Sequence, residues 1–259
     1  MIDAIVLAGG LGTRLRRITG DLPKPMAPVA GRPFLEILLA TLERKGLRRA
    51  VLSLGYRAEL IRDHFGARFG SVELAYEIET TPLGTGGAIR RALGRCRTSS
   101  ALVVNGDTLL DLELDELLCF GRAADAPVLV AREVDDTTRF GRLVVESGRL
   151  ASFVEKGAAG PGLINTGHYR LPRTVFDGHP LPESFSIEHD FLAPLADRLG
   201  IEVFVSRGSF IDIGVPEDYA RAQTELGASA RRRRTIFGRD RRRRLPRSRR
   251  RDQRRPWLR

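Results

Sequence analysis

Short apolar runs alternate with stretches of helical period through the first half of this chain, and that alternation constrains the fold more than any other feature. Residues 2–8, 50–54, 72–78, 101–104 and 128–131 read as strands, with helices between them. The stretch 33–44 shows the helical period directly: Phe34, Ile37, Leu38 and Leu42 fall on one stripe, with Glu36, Glu43 and Arg44 off it. A β-α-β-α order predicts an α/β fold with a mostly parallel central sheet covered by helices on both faces. Ligands of such a sheet bind beyond the carboxyl ends of its strands.

From residue 141 the pattern changes. Residues 141–147 and 149–156 read as a hairpin turning at Gly148, a strand follows over 163–171, and together they predict a small β-rich lobe. A helix over 187–199, a strand over 201–205 and a last helix over 216–226, with Pro216 in its first turn, close the fold. There is no internal repeat. One domain is predicted at 1–228, followed by an Arg-rich tail at 229–259 that lacks the apolar periodicity needed to order itself.

The charge of the chain divides at the same place. Residues 231–259 hold 16 Arg against two Asp, a local +14, so residues 1–230 carry −3 of the total +11. A phosphate-tracking surface needs clustered cations on the folded domain, so nucleic-acid binding by that domain is not predicted. The tail itself stays open between an RNA- or membrane-surface arm and the product of a reading-frame change in GC-rich coding DNA. Cys96 and Cys119 fit neither a disulfide framework nor a CxxC metal site; they read as reduced and structural, which predicts a cytoplasmic location. No run approaches 18 apolar residues and the apolar run at 5–8 follows Asp3, so neither membrane insertion nor a signal peptide is predicted.

Three loops carry groups suited to phosphate chemistry. The first strand runs straight into Gly9-Gly10-Leu11-Gly12-Thr13-Arg14-Leu15, where glycines let backbone N–H groups approach an anion and Arg14 offers a charged planar fork. This loop lacks the GxGxxG and GxxxxGK[ST] spacings, and a purely structural turn would use the same glycines. Lys24 stands between Pro23 and Pro25 and is one of only three lysines, with Lys45 and Lys156, against 40 arginines. Its placement reads as a phosphate ligand, with a plain surface lysine as the competing reading. The strand at 101–104 ends in Asn105-Gly106-Asp107, whose carboxylate suits Mg2+, and Asp212 is a second candidate ligand. Asp111, Asp115 and Asp136 compete, because an aspartate after a strand also serves as a turn or helix cap. His64, His179 and His189 show no metal spacing.

These loops, with the PLGTGGAI segment at 82–89, Glu155-Lys156, Asn165-Thr166-Gly167 and IDIGVPEDY at 211–219, resemble the sugar-1-phosphate nucleotidyltransferases over residues 1 to about 226. Within that family the chain looks most like the D-glycero-α-D-manno-heptose 1-phosphate guanylyltransferases, through LPKPMAP, INTGHY, Phe185-Ser186-Ile187-Glu188 and FIDIGVPEDY. The resemblance implies a Rossmann-like three-layer α/β/α fold in which the β-rich lobe binds sugar. It implies transfer of a nucleotidyl group, GMP first, from a nucleoside triphosphate (GTP) to a sugar 1-phosphate, with Mg2+ as cofactor. Ala8, Gly9, Gly10, Gly12, Thr13 and Arg14 would embrace the triphosphate, and Gly84, Thr85, Gly86 and Gly87 would lie against the base. Arg14, Lys24 and Asp107 would be catalytic, with Asp107 and Asp212 holding the metal. Lys156 would hold the sugar phosphate, while Glu155, Asn165 and Thr166 would contact sugar hydroxyls. His168, beside them, either touches a hydroxyl or packs. A uridylyl-, thymidylyl- or mannose-1-phosphate guanylyltransferase is the alternative within enzymes, and a regulatory sugar-nucleotide-binding protein is the alternative outside them. Homo-oligomerisation is left open.

Overall fold

The computed structural model describes residues 2–10, 12, 15, 20–121, 126–154, 157 and 159–237, with side chains described through Gly227. The chain enters as β1 (Asp3–Ala8), makes a 3-10 turn at Lys24–Met26 and a short hairpin of β2 (Pro28–Val29) and β3 (Arg32–Pro33), and continues as α1 (Phe34–Arg44), β4 (Arg49–Leu54) and α2 (Ala58–Phe65). Then come β5 (Arg68–Phe69), β6 (Val72–Ile78), α3 (Gly84–Leu93), β7 (Ser100–Asn105), β8 (Thr108–Leu110), α4 (Leu114–Cys119) and β9 (Val128–Val134). The remainder is β10 (Arg142–Glu146), β11 (Arg149–Val154), β12 (Gly162–Pro172), a π-helical turn over Ile187–Leu192 that leads into α5 (Ala193–Leu199), β13 (Glu202–Val205), β14 (Phe210–Asp212) and α6 (Pro216–Phe237).

Most of the strands join one sheet in the order β10-β11-β13-β9-β12-β7-β1-β4-β6-β5. The mostly parallel sheet expected from the sequence is found in β7-β1-β4-β6, where α1, α2 and α3 supply the crossovers that parallel neighbours need. Beyond β7 the sheet is mixed: β12 follows the β10–β11 hairpin with no crossover helix and pairs antiparallel with both β7 and β9. The β-rich middle of the chain, expected as a small lobe, is the far edge of this same sheet, because β11 pairs with β13 and β10 with β12. Its hairpin turns where expected: Ser147 and Gly148 both take positive φ, 49° and 79°, the twist that a tight two-residue turn requires.

Alternate residues of the central strands feed two cores, as a period of two demands. Ala4, Val6 and Ala8 of β1 and Leu102 and Val104 of β7 pack with α1, α2 and the start of α6, whereas Ile5, Ala101 and Val103 pack with α3 and the Ile187–Leu192 turn on the other face. The three-layer arrangement follows. Glu36, expected off the apolar stripe of α1, is nevertheless buried, held by Arg32 and by His64 Nε2 at 2.9 Å. The last helix runs past the expected end at residue 226 to Phe237, so residues 229–237, assigned to a disordered tail, are helical; alanine and arginine are good helix formers. Residues 238–259 lie outside the described part. Among the described residues no helix is long and apolar enough to cross a membrane.

Candidate active site

The carboxyl ends of β1, β4, β6 and β7 open on one edge, and the loops that leave them pack backbone against backbone. A Cβ on Gly9 would stand 3.1 Å from the Gly55 nitrogen, and one on Gly55 would stand 2.7 Å from the Gly9 carbonyl oxygen, so the loops after β1 and β4 meet only because both lack side chains. Gly12, at φ 60°, turns the first loop onto Lys24, whose Cβ would lie 3.0 Å from a Cβ at that position. Leu11, Thr13 and Arg14 lie outside the described residues, so the phosphate roles expected of Thr13 and Arg14 stay expectations.

Lys24 is not a surface lysine. Pro23 and Pro25 hold it in the 3-10 turn, its side chain is 12% exposed, and its ammonium pairs with Oδ2 of Asp107. Asp107 reaches this position because Gly106 lets the exit of β7 cross over β1, its N–H donating to the Leu7 carbonyl at 2.8 Å. Asp212 arrives from the far end of the chain: β14 pairs antiparallel with β8, and the Ile213 N–H donates to the Asp107 carbonyl at 3.0 Å. Burial and then the negative charge of Asp107 push the Asp212 carboxyl above its ordinary range, against the opposing pull of Lys24 and of the Gly214 N–H, which donates to Oδ1 at 2.6 Å.

The Asp212 carboxylate, its ionisation opposed by burial and by the charge of Asp107, with one ammonium beside the pair, leaves room for a further positive charge. Among the described residues no group of three or more His, Cys, Asp or Glu could form a full protein cage for a metal. The donor set therefore fits a hard divalent ion held by two carboxylates, with substrate phosphate oxygens and water completing its shell. The competing aspartates have other work. Asp111 pairs with Lys45 at 2.7 Å, Asp115 lies in the first turn of α4, and Asp136 accepts from both the N–H and the hydroxyl of Thr138.

Around this centre lies a cleft of about 670 Å3. Of the residues expected at the site, Ala8, Gly9, Gly10, Gly12, Lys24, Gly84, Thr85 and Asp107 line it. Gly86 and Gly87 do not. A Cβ on either would run into the segment 183–185 packed behind the start of α3, so their small size serves that packing. Ser53, Tyr56, Glu79 and Asn105 line the cleft without having been singled out. The signal that would have found them is position: each lies at or just beyond the carboxyl end of β4, β6 or β7. Glu79 is fixed there, its carboxylate accepting from the Leu83 N–H at 3.2 Å and the Ser53 hydroxyl at 3.4 Å.

The expected sugar contacts separate. Glu155 and Lys156 lie outside the described residues. Thr166 is buried, and its hydroxyl donates to the Val130 carbonyl at 2.8 Å, so its side chain braces β12 against β9 and faces no ligand, contrary to expectation. Asn165 is partly exposed and hydrogen-bonded to Gly167, Tyr169 and Glu188. Gly167, at φ 71°, brings its backbone against Asn105. His168 is a packing residue: it is buried, and its Nδ1 donates to the Thr166 carbonyl at 2.9 Å.

Burial lowers the His168 pKa to about 4. The unfolded chain therefore binds a proton that the folded chain refuses, and stability is lost as pH falls from about 6.5 towards 4, by on the order of 3 kcal/mol. Urea unfolding at pH 7 and pH 5 should show about 2 kcal/mol of this loss in the wild type and a smaller loss in His168→Gln; equal losses in the two proteins would contradict it.

The Nucleotidyl transferase family pattern matches residues 3–229. A D-glycero-alpha-D-manno-heptose 1-phosphate guanylyltransferase of Aneurinibacillus thermoaerophilus is 38% identical over 226 residues, covering 87% of this chain and 98% of the relative. A mannose-1-phosphate guanylyltransferase of Mycobacterium tuberculosis is also 38% identical, over 87% of this chain but 64% of that longer protein. The crystal structure of HddC from Yersinia pseudotuberculosis complexed with GMP-PN superposes with a TM-score of 0.78 at 39% identity, covering 87% of this chain and all of that one.

Proposed function

The chain belongs to the nucleotidyl transferase family, and from that premise we propose that it transfers GMP from GTP to a sugar 1-phosphate, D-glycero-α-D-manno-heptose 1-phosphate in the first place, releasing pyrophosphate and a GDP-sugar. The observation that carries this reading is the meeting of Lys24, Asp107 and Asp212, from three distant loops, at the edge of a cleft floored by the first glycine loop. A sugar phosphate is ionised near neutral pH, so its oxygen attacks the α-phosphorus in line and needs no general base or covalent enzyme intermediate. What it needs is charge: two anions must be held together while charge builds on the α-phosphoryl group and the leaving pyrophosphate. Lys24, held to one position by its prolines, supplies part of that charge, and the N–H groups of the glycine loop supply fixed dipoles. Asp107 and Asp212 would hold Mg2+, which would neutralise phosphate charge and orient the reacting oxygens.

Glu79 supports GTP as the donor. A carboxylate in an anion-binding cleft repels phosphate, so it belongs beside the base, and guanine presents adjacent donors at N1 and N2 that two carboxylate oxygens can accept together. Uracil and thymine offer one donor flanked by two acceptors, a pattern that suits an amide. Glu79→Gln should therefore lower kcat/KM for GTP by about ten- to hundredfold, the worth of a charge-assisted hydrogen bond, and raise the relative use of UTP. An unchanged triphosphate preference would remove Glu79 from the base site.

Pyrophosphate release measured across four triphosphates and several sugar 1-phosphates tests the whole reading; release with UTP or dTTP in preference to GTP would overturn the donor, and release with none would overturn the activity. Mannose 1-phosphate is the second acceptor to try, since the relative named for it is as similar in identity. The reading carries a cytoplasmic setting, where the free Cys96 and Cys119 stay reduced. It confines the activity to residues 1–228, so a chain ending at Ala228 should keep turnover within about twofold of the full chain. A folded but inactive truncation would give the Arg-rich tail a catalytic part.

A further inference from the structure

Resting on this reading, we propose that Glu188 is the group that accepts hydrogen bonds from the sugar hydroxyls, with Asn165 its positioning residue. The triphosphate half of the cleft lies over β1, β4 and β6, where Gly10, Tyr56 and Glu79 line it. In-line displacement brings the incoming oxygen from the side opposite the departing pyrophosphate, and β12 flanks β7 on the side away from β1, β4 and β6. His168 pairs with Val104, so Asn165 sits past the carboxyl end of β7 on that side. Here the pairing of β12 with β9 slips between Asn165 and His168, and a slip of this kind re-aims the side chains next to it.

Asn165 is held on every side. Its Oδ1 accepts from the Gly167 N–H at 3.0 Å, and its Nδ2 donates to the Tyr169 hydroxyl and to Oε1 of Glu188, each at 2.7 Å. Both amide protons are thus committed within the protein and neither is left for a sugar. Glu188 is arranged differently. The Tyr169 hydroxyl donates to the same Oε1 at 3.2 Å, and Oε2 has no protein partner among the described residues.

The segment that carries Glu188 is tied to the cleft wall. The Ile187 N–H donates to the hydroxyl of Thr85, a cleft residue, at 2.9 Å, and the Gly86 N–H to the Phe185 carbonyl at 2.9 Å. Glu188 stands in the π-helical turn that follows, a backbone form concentrated at functional sites. A half-buried carboxylate beside a site for two anions is tolerable only where it meets donors. The hydroxyl end of the sugar offers donors and its phosphate end does not, so Glu188 reads the hydroxyls while cations hold the phosphate.

The test is steady-state kinetics with GTP and a sugar 1-phosphate, in the wild type and in Glu188→Gln. The KM for the sugar 1-phosphate should rise about ten- to hundredfold, with the KM for GTP held within about twofold and the melting temperature unchanged. Among monodeoxy analogues of that sugar phosphate, the one lacking the partner hydroxyl should cost the wild type a similar factor and the variant little more. Tyr169→Phe, which removes one donor from Oε1, should raise the same KM severalfold. An active wild type whose sugar KM is indifferent to Glu188→Gln overturns the assignment alone. A variant that loses melting temperature and shifts both KM values together makes Glu188 structural, which also overturns it. A wild type inert with every sugar 1-phosphate fails the assignment and the parent reading together.

Discussion

Lys24→Ala should lower turnover by about a hundred- to thousandfold, the usual cost of one preorganised donor at a transition state. The size of the effect follows from where the ammonium is held. Pro23 and Pro25 remove the local freedom that a surface lysine has, Gly12 closes over its Cβ, and its 12% exposed side chain faces Asp107 with little water to compete. Little reorganisation is then needed when charge develops on the phosphoryl group. Lys24→Arg should not rescue, since a longer planar fork cannot occupy the compact position beneath Gly12. Single-turnover rates at saturating GTP, with melting curves as a control on folding, decide the matter. A Lys24→Ala protein that melts like the wild type and turns over within tenfold of it would remove Lys24 from the chemistry.

Asp107→Asn and Asp212→Asn should each abolish turnover to a similar or greater degree, and Asp212→Asn should do so without destabilising the metal-free protein. The second half of this expectation comes from the sign of the shift. An acid whose folded pKa is raised is held less favourably ionised than in the unfolded chain, so its contribution to stability falls as pH rises through that window. At neutral pH, then, Asp212 costs the metal-free protein stability, chiefly through burial and through Asp107, and Asn relieves that cost. A divalent ion reverses the balance. The wild type should gain melting temperature on adding Mg2+ after chelator treatment, and both Asn variants should gain little. Equal stabilisation of all three proteins by Mg2+ would place the ion elsewhere.

Much of this site is local and was legible without coordinates. A strand that runs into a glycine loop, a lysine caged by prolines and a carboxylate at a strand end are each written in a few consecutive residues, and the period of two in β1 and β7 already assigns side chains to the two faces. The sequence was misleading where a residue's environment comes from elsewhere. Thr166 looks like a ligand-facing hydroxyl until β9 supplies the Val130 carbonyl that takes it. Gly86 and Gly87 look like loop glycines for a base until the segment 183–185 fills the space in front of them. Glu79 is one glutamate among many until the cleft closes around it.

The sequence by itself determined the parallel half of the sheet, its glycine-lined edge and the kinds of charge that gather there, because these depend on period, turn chemistry and neighbours in the chain. Only the tertiary structure decided that β12 lies between β7 and β9, that the middle hairpin extends the sheet, and that Asp212 comes to rest beside Asp107. Those outcomes depend on pairing between segments far apart in the chain, where cost and gain are set by the burial of whole faces. No single stretch of residues carries that information.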